Sequence, residues 1–325
     1  MSDSSASGPG ISWRRTGGTS DHPTMDAWCA LVGPPVVATP ERVLDGPVAA
    51  GLDSLVVVTW NVHVGGGDLV RFVGDLRAGH LTGGEAVGDF VLLVQEAYRG
   101  GPAVPSALAL GVVPERIEGR PPSGDRLDVL EAARRLGLHL FYTPSMRNGR
   151  DGDARAEDRG NAILSTLPLD GFEAIELPWE VQRRVAVAGT IAGVTSAGDP
   201  WSLRLVSAHL DTRTRWTRLL DTFGSARARQ AQALADAIGD PVVVLGADLN
   251  SWSITPLEEA VPLLRGRFPS GPVVAAPTLY RVGIGFRLDH LLFRIPDGWD
   301  ATLSRVDDRY GSDHHPLISV VRLGV

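Results

Sequence analysis

The stretch VVVLGADLNSW, Val242–Trp252, runs from four consecutive apolar residues into Gly246, Asp248 and Asn250. A run apolar at every position has no solvated face, so it reads as a strand buried on both sides. Asp248 and Asn250 are two residues apart and therefore share a face in an extended chain. Gly246 lets another backbone or side chain approach closely. A Gly-Asx turn would by itself explain the composition, but the acid can also orient or deprotonate a water, and the amide can donate to a phosphoryl oxygen.

Four other stretches repeat the pattern. LVVVTWNV places Asn61 after the run Leu55–Thr59, and FVLLVQEA places Glu96 after Phe90–Val94. RLVSAHLDT ends a strand at His209, an imidazole able to donate to a phosphate oxygen or move a proton near neutral pH. GSDHHP, residues 311–316, sets Asp313 beside His314. FRLDHLLF embeds Asp289 in an apolar stretch, where a carboxylate is costly unless an imidazole meets it or Arg287 pairs with it at the surface. Acids, amides and imidazoles at successive strand ends point to one convergent, oxygen-rich site of the kind that suits a hard cation such as Mg²⁺.

The remaining pattern sets the architecture. Helical spacing is expected over Asp68–Leu76, over Asp125–Leu136 with Ser123 near its cap, over Ala226–Ile238 and over Pro256–Leu264. Further strands are expected at His139–Thr143, Asn161–Ser165, Phe172–Leu177, Val185–Ile191, Leu203–Ala208, Leu288–Phe293, Ala301–Arg305 and Leu317–Val321. Several strands follow one another directly, which argues against regular βαβ alternation. The order favours an α/β four-layer sandwich: two stacked, mixed and largely antiparallel sheets flanked by helices. Residues 1–24 are Ser-, Gly- and Thr-rich and read as a disordered tail, 25–52 as an N-terminal extension, and 53–325 as the catalytic domain. The Pro- and Gly-rich stretch 100–124 and the charged stretch Arg147–Arg159 read as loops.

Of the 325 residues, 43% are apolar, enough for a substantial core. The net charge of −7 offers no global attraction to nucleic acid. The single cysteine, Cys29, excludes an intramolecular disulfide and a Cys-rich zinc site. No signal-peptide pattern or membrane-length apolar run is visible, so a cytoplasmic location is expected. With no Gly-x-Ser-x-Gly elbow, covalent catalysis is disfavoured.

Taken in order, TWNV, QEA, GNAILS, SAHLD, RARQ, GADLN, RLDHLL and SDHHP resemble the endonuclease/exonuclease/phosphatase superfamily from about Leu55 to Val321. The resemblance implies hydrolysis of a phosphoester with Mg²⁺, for which Mn²⁺ could substitute. It implies metal-site roles for Asn61, Glu96 and Asp313, and a water-positioning or water-activating role for Asp248. Asn250 and His209 become phosphate contacts, and His314 a catalytic imidazole oriented by Asp289. Whether Asp248 or His314 takes the water proton stays open.

A phosphodiesterase or nuclease is the leading expectation. A phosphatase, a phospholipase C-like enzyme, or a noncatalytic scaffold on the same fold are the alternatives. His63 stands where abasic-site nucleases of the family commonly carry an acid, and the aromatic-rich motif usual in inositol phosphatases is absent. Arg213, Arg215, Arg218, Arg227 and Arg229 surround Trp216, so a polyanion such as nucleic acid could be held there by phosphate contacts and base stacking. The Arg147, Arg150, Arg155 and Arg159 group is offset by Asp151, Asp153, Glu157 and Asp158.

Overall fold

The run Leu55–Thr59 forms the centre of strand β3 (Ser54–Asn61), of which all but the first residue are buried. In the computed structural model, which describes residues 10–40, 51–106, 125–148, 156–212, 225–252 and 258–324, β3 lies inside an eight-stranded sheet. The other members are β2 (Val36–Ala38), β4 (Phe90–Gly100), β5 (His139–Asn148), β6 (Glu157–Ser165), β14 (Asp300–Ala301), β15 (Ser304–Arg305) and β16 (Leu317–Arg322). Their order is β14-β16-β3-β4-β6-β5-β2, with β15 also paired to β16. A second, six-stranded sheet has the order β1-β7-β8-β9-β10-β13. Its strands are β1 (Ser12–Arg15), β7 (Asp170–Glu176), β8 (Val185–Val194), β9 (Pro200–His209), β10 (Val243–Asp248) and β13 (Asp289–Arg294). A separate hairpin joins β11 (Leu279–Arg281) to β12 (Ile284–Phe286).

Alternation along β3 explains the unbroken apolar run. Leu55 and Val57 face the second sheet and pack with Leu93, Ile163, Val187, Leu205 and Val244. Val56 and Val58 face outward against Phe72 and Leu76 of α2 (Leu69–Arg77) and Ala132 and Leu136 of α3 (Val129–Leu136). On the far side, Val206 and Leu245 pack with Leu234 of α4 (Ser225–Ala237) and Leu264 of α5 (Ala260–Arg267). The result is the expected four layers of helix, sheet, sheet and helix. Each sheet is mixed: β3–β4, β9–β10 and β1–β7 run parallel, and the remaining pairs are antiparallel.

Several boundaries differ from the sequence reading. The helix expected from Asp125 begins at Val129, because the carboxylate of Asp128 accepts the amide of Leu130 at 2.8 Å. Ser123 lies outside the described residues. β5 continues to Asn148 and β6 starts at Glu157, so both described ends of the expected loop Arg147–Arg159 are strand, and residues 149–155 lie outside the described residues. The tail reading is also corrected over its described part. Ser12–Arg15 pairs in parallel with Glu173–Glu176, and α1 (His22–Cys29) buries Trp28 against Trp179 with ring centroids 6.0 Å apart. The polar composition concealed this because a parallel edge strand is held by its backbone, and two large indoles supply the apolar anchor.

The two sheets approach closely at Gly246. A Cβ there would lie 2.7 Å from Thr59 Cβ and Oγ1 and 2.9 Å from Leu93 Cβ, atoms held by the opposing backbone. Gly246→Ala should therefore destabilise the protein by about 1–3 kcal/mol through overpacking, read as a lower urea midpoint. An unchanged midpoint would show that the sheets yield at this point.

Candidate active site

Strand direction brings the polar ends together. β3 and β4 are parallel in a register that sets Asn61 beside Gln95, so both exit at one edge of their sheet. In the second sheet Asp248 pairs with His209 on parallel β9 and with Asp289 on antiparallel β13. The segment carrying Asp313 and His314 enters β16, whose Leu317 pairs with Thr59. Six chain segments thus converge on one edge of the sandwich.

Glu96 arrives by a bulge. Val94 pairs with Ala162 and Ala97 with Gly160, so Gln95 and Glu96 together oppose Asn161. Gln95 turns between the sheets, where its amide donates to Ser207 Oγ at 3.0 Å and to the carbonyl of Leu93 at 3.1 Å. Glu96 is left at the edge with φ 53°, a backbone region that costs a non-glycine residue energy.

Asn61, Glu96, His209, Asp248, Asn250, Asp289, Asp313 and His314 each lie within 4.0 Å of another member of one cluster. Asn61 Nδ2 donates to Asp248 Oδ2 at 2.8 Å. His209 Nε2 is 3.4 Å from Asp248 Oδ2, and its Nδ1 is 4.0 Å from Glu96 Oε1. Asn250 Nδ2 is 2.8 Å from His209 Nε2 and donates to the Leu210 carbonyl at 2.8 Å, while its backbone N–H donates to Asp248 Oδ1 at 2.9 Å. His314 Nδ1 is 2.7 Å from Asp289 Oδ2, and its Nε2 lies 3.8 Å from Asp313 Oδ1 and 3.9 Å from Asp248 Oδ2. The alternative of a surface pair between Asp289 and Arg287 is not what forms: Asp289 is 3% exposed and takes His314 as its partner.

Burial sets the protonation of this cluster. Desolvation first, then the charge of Asp289, raises Asp248 to about 7, against the opposing pull of His314 and the Asn61 hydrogen bond. Burial alone would lower His314, but the charge and hydrogen bond of Asp289, with Asp248 and Asp313 behind it, raise it to about 10. His209 is pushed well down by burial and by Arg184 and Arg159, so it is neutral. Its Nε2 then serves as the acceptor for Asn250.

Two arginines of this region were not recognised as site residues. Arg159 had been grouped with loop charges that cancel, whereas it is a β6 residue, 9% exposed. Arg184 is 4% exposed and immediately precedes β8. With Asn161, Glu96 and His209 they line a compartment of about 10 Å³, the size of one water. Arg184 Nε and Asn161 Oδ1 have no hydrogen-bond partner among the described residues. The signal was there in inverted form: β8 and β6 run antiparallel to β9 and β4, so residues near their starts lie beside their neighbours' ends. The Arg213, Arg215, Arg218 and Trp216 group lies outside the described residues, as do Arg150 and Arg155. Arg227 is paired with Glu258 at 2.7 Å and Arg229 with Glu180 at 2.8 Å. Trp252 borders the site, its Nε1 donating to Asn250 Oδ1 at 3.1 Å.

Residues 58–314 match the model of the Endonuclease/Exonuclease/phosphatase family, and the chain belongs to that family, a group of phosphoester hydrolases. No curated protein sequence matches. Among solved structures the chain is similar to the endonuclease domain of TRAS1, a telomere-specific non-LTR retrotransposon, with 16% identity over 83% of this chain and 99% of that one and a TM-score of 0.44. It is also similar to ANGEL2, a 2',3'-cyclic phosphatase, with 13% identity, coverage of 84% and 96%, and a TM-score of 0.47. A Bacteroides thetaiotaomicron endonuclease/exonuclease/phosphatase family protein shares 12% identity, with coverage of 82% and 94% and a TM-score of 0.45. No helix among the described residues is long and apolar enough to cross a membrane.

The raised His314 has a consequence for stability. A group whose folded pKa exceeds its unfolded value stabilises below the unfolded pKa, and that stability drains away as pH rises toward the folded one. With values of 6.5 unfolded and about 10 folded, metal-free protein should lose about 1.4 kcal/mol per pH unit between roughly pH 7.5 and 9.5. His314→Gln should flatten that slope in denaturant titrations with chelator present. Parallel slopes in the two proteins would contradict the ion pair.

Proposed function

We propose that the protein is a Mg²⁺-dependent phosphoester hydrolase that acts on phosphodiesters, with a nucleic acid as the leading substrate class. The observation that carries this reading is four carboxylates, those of Glu96, Asp248, Asp289 and Asp313, gathered in one cleft with neutral amide and imidazole donors. Asp289 Oδ1 and Asp313 Oδ1 have no hydrogen-bond partner among the described residues. Oxygens left so in a crowd of acids suit a hard cation. Asp248, Asp289 and His314 also offer ligand atoms within 4.8 Å of one another. His314 Nδ1 is already bonded to Asp289, however, so we assign that pair to proton and charge control and leave the cation to Asn61, Glu96 and Asp313.

When bound there, Mg²⁺ would neutralise charge on a nonbridging phosphoryl oxygen and on the leaving oxygen. The protein's own groups do the rest. Asp248, raised to about 7, exchanges a proton near neutral pH and is held by Asn61 and the Asn250 amide, which fits it to orient a water and accept its proton. His314, raised to about 10, is an imidazolium under the same conditions and donates through Nε2 to an oxygen that gains charge. Between the two candidates for the base, this favours Asp248. Arg159 and Arg184 add fixed positive charge beside His209. Phosphoryl transfer of this kind needs alignment and charge neutralisation more than a covalent intermediate.

The test is hydrolysis of bis(p-nitrophenyl) phosphate and of single- and double-stranded nucleic acid, with Mg²⁺ and with chelator. Chelation should abolish turnover, and Asp248→Asn and His314→Gln should each lower kcat by about 10²–10⁴ while circular dichroism stays native. Full activity in chelator, or in both variants, would reject the assignment. Intact nucleic acid alongside release of a lipid headgroup or inorganic phosphate would move the substrate elsewhere in the family.

A further inference from the structure

Two groups of fixed hydrogen-bonding character hold the side-chain amide of Asn250. An indole N–H can only donate, and a backbone carbonyl can only accept. Trp252 Nε1 donates to Asn250 Oδ1 at 3.1 Å, and the Leu210 carbonyl accepts from Asn250 Nδ2 at 2.8 Å. Each contact fixes which end of the amide carries the oxygen, and the two agree. The other Nδ2 hydrogen then meets His209 Nε2 at 2.8 Å. A ring nitrogen that faces an N–H offers its lone pair, so His209 is neutral and its hydrogen sits on Nδ1. Nδ1 is the nitrogen on the Glu96 side, 4.0 Å from Oε1. Without this amide the opposite tautomer has an acceptor of its own, because Asp248 Oδ2 lies 3.4 Å from Nε2.

We propose that Trp252 and Asn250 are positioning residues that lock the tautomer of His209. The lock presents Nδ1–H at the edge as a neutral donor for a phosphoryl oxygen, and it keeps His209 from donating to Asp248. Both hydrogens of Asn250 Nδ2 are engaged within the protein, so its reach to a substrate runs through the imidazole. The indole is itself held. Phe286 packs against it with centroids 5.2 Å apart, and the Arg281 guanidinium carbon lies over its ring, 5.1 Å from the centroid. Both belong to the β11–β12 hairpin, which is tied to the catalytic segments. Leu279 pairs with His314, and Thr278, at the base of the hairpin, accepts the amide of Asp289 on Oγ1 at 3.1 Å. One hairpin thereby steadies the surroundings of both imidazoles. The use given to Nδ1–H rests on the phosphoester reading above, whereas the tautomer rests on the hydrogen bonds alone.

Long-range proton–nitrogen correlation spectra of the full-length, metal-free protein read the tautomer without any turnover, because a protonated ring nitrogen resonates far from a bare one. The His209 signals are assigned through their absence in His209→Gln. In wild type, Nδ1 should carry the hydrogen and Nε2 should be bare. Asn250→Asp, which sets a carboxylate oxygen where Nδ2 stands, should draw a proton onto Nε2. Trp252→Phe keeps a ring between Arg281 and Phe286 but removes the N–H. It should lower kcat for bis(p-nitrophenyl) phosphate about two- to tenfold with KM little changed, the effect of one hydrogen bond, and should move the two His209 nitrogen shifts toward each other. A hydrogen on Nε2 in wild type, or a bare Nε2 retained in Asn250→Asp, would overturn the lock. Unchanged kcat and unchanged shifts in Trp252→Phe would overturn the part given to the indole. Absence of turnover in wild type would overturn the phosphoester reading and the use given to Nδ1–H, while the spectra would still decide the tautomer.

Discussion

The face-to-face approach of the two sheets at Gly246 is the constraint on which the site depends. Thr59 and Leu93 of one sheet press against β10 of the other where a side chain would not fit. One step nearer the edge, Gln95 spans the gap to Ser207, and Ser207 Oγ returns a bond to the Val94 carbonyl at 3.0 Å. Strand ends from two separate sheets are thereby fixed to within hydrogen-bonding distance. Asn61 can reach Asp248 only because this seam is closed. A sandwich with a bulkier seam would bury the same core yet separate the polar ends, so the glycine and the glutamine matter to chemistry without touching it.

The second governing feature is electrostatic. Four acids in a largely dry cleft repel one another and lose hydration, and the protein offsets part of this with one imidazolium and several amide donors. Asp248 is raised toward neutrality for that reason. The strained backbone at Glu96 and Asn250 belongs to the same account, with φ of 53° and 48° at residues held against the cluster. A fold tuned for stability alone would replace these groups. Strain and repulsion together accompany an edge at which charge is fixed in place by the fold itself.

Much of this was readable in the sequence because parallel neighbours end at the same edge. Asn61, His209 and Asp248 each close a largely apolar strand, and Asn250 follows two residues on, so their meeting at one edge follows from strand direction. Asp289 was readable as a costly acid in an apolar stretch, and the family resemblance pointed to His314 as the group to meet it. The rule fails where strands run the other way. Arg159 and Arg184 lie near strand starts, so they looked like loop charges or drew no notice. The position of Glu96 was legible, but its orientation depends on a bulge that local composition does not encode. The N-terminal strand and helix were missed because their sequence is polar: backbone pairing and two tryptophans hold them, and neither leaves a periodic apolar trace.

That N-terminal segment has an architectural role of its own. β1 occupies one margin of one sheet and β2 one margin of the other, at the same side of the sandwich, so a single short stretch closes that flank of both sheets. Unpaired margins are templates for foreign strands. A version of this protein pared back to residue 53 would bare β7 and β5 together, and its foremost hazard would be intermolecular pairing and aggregation.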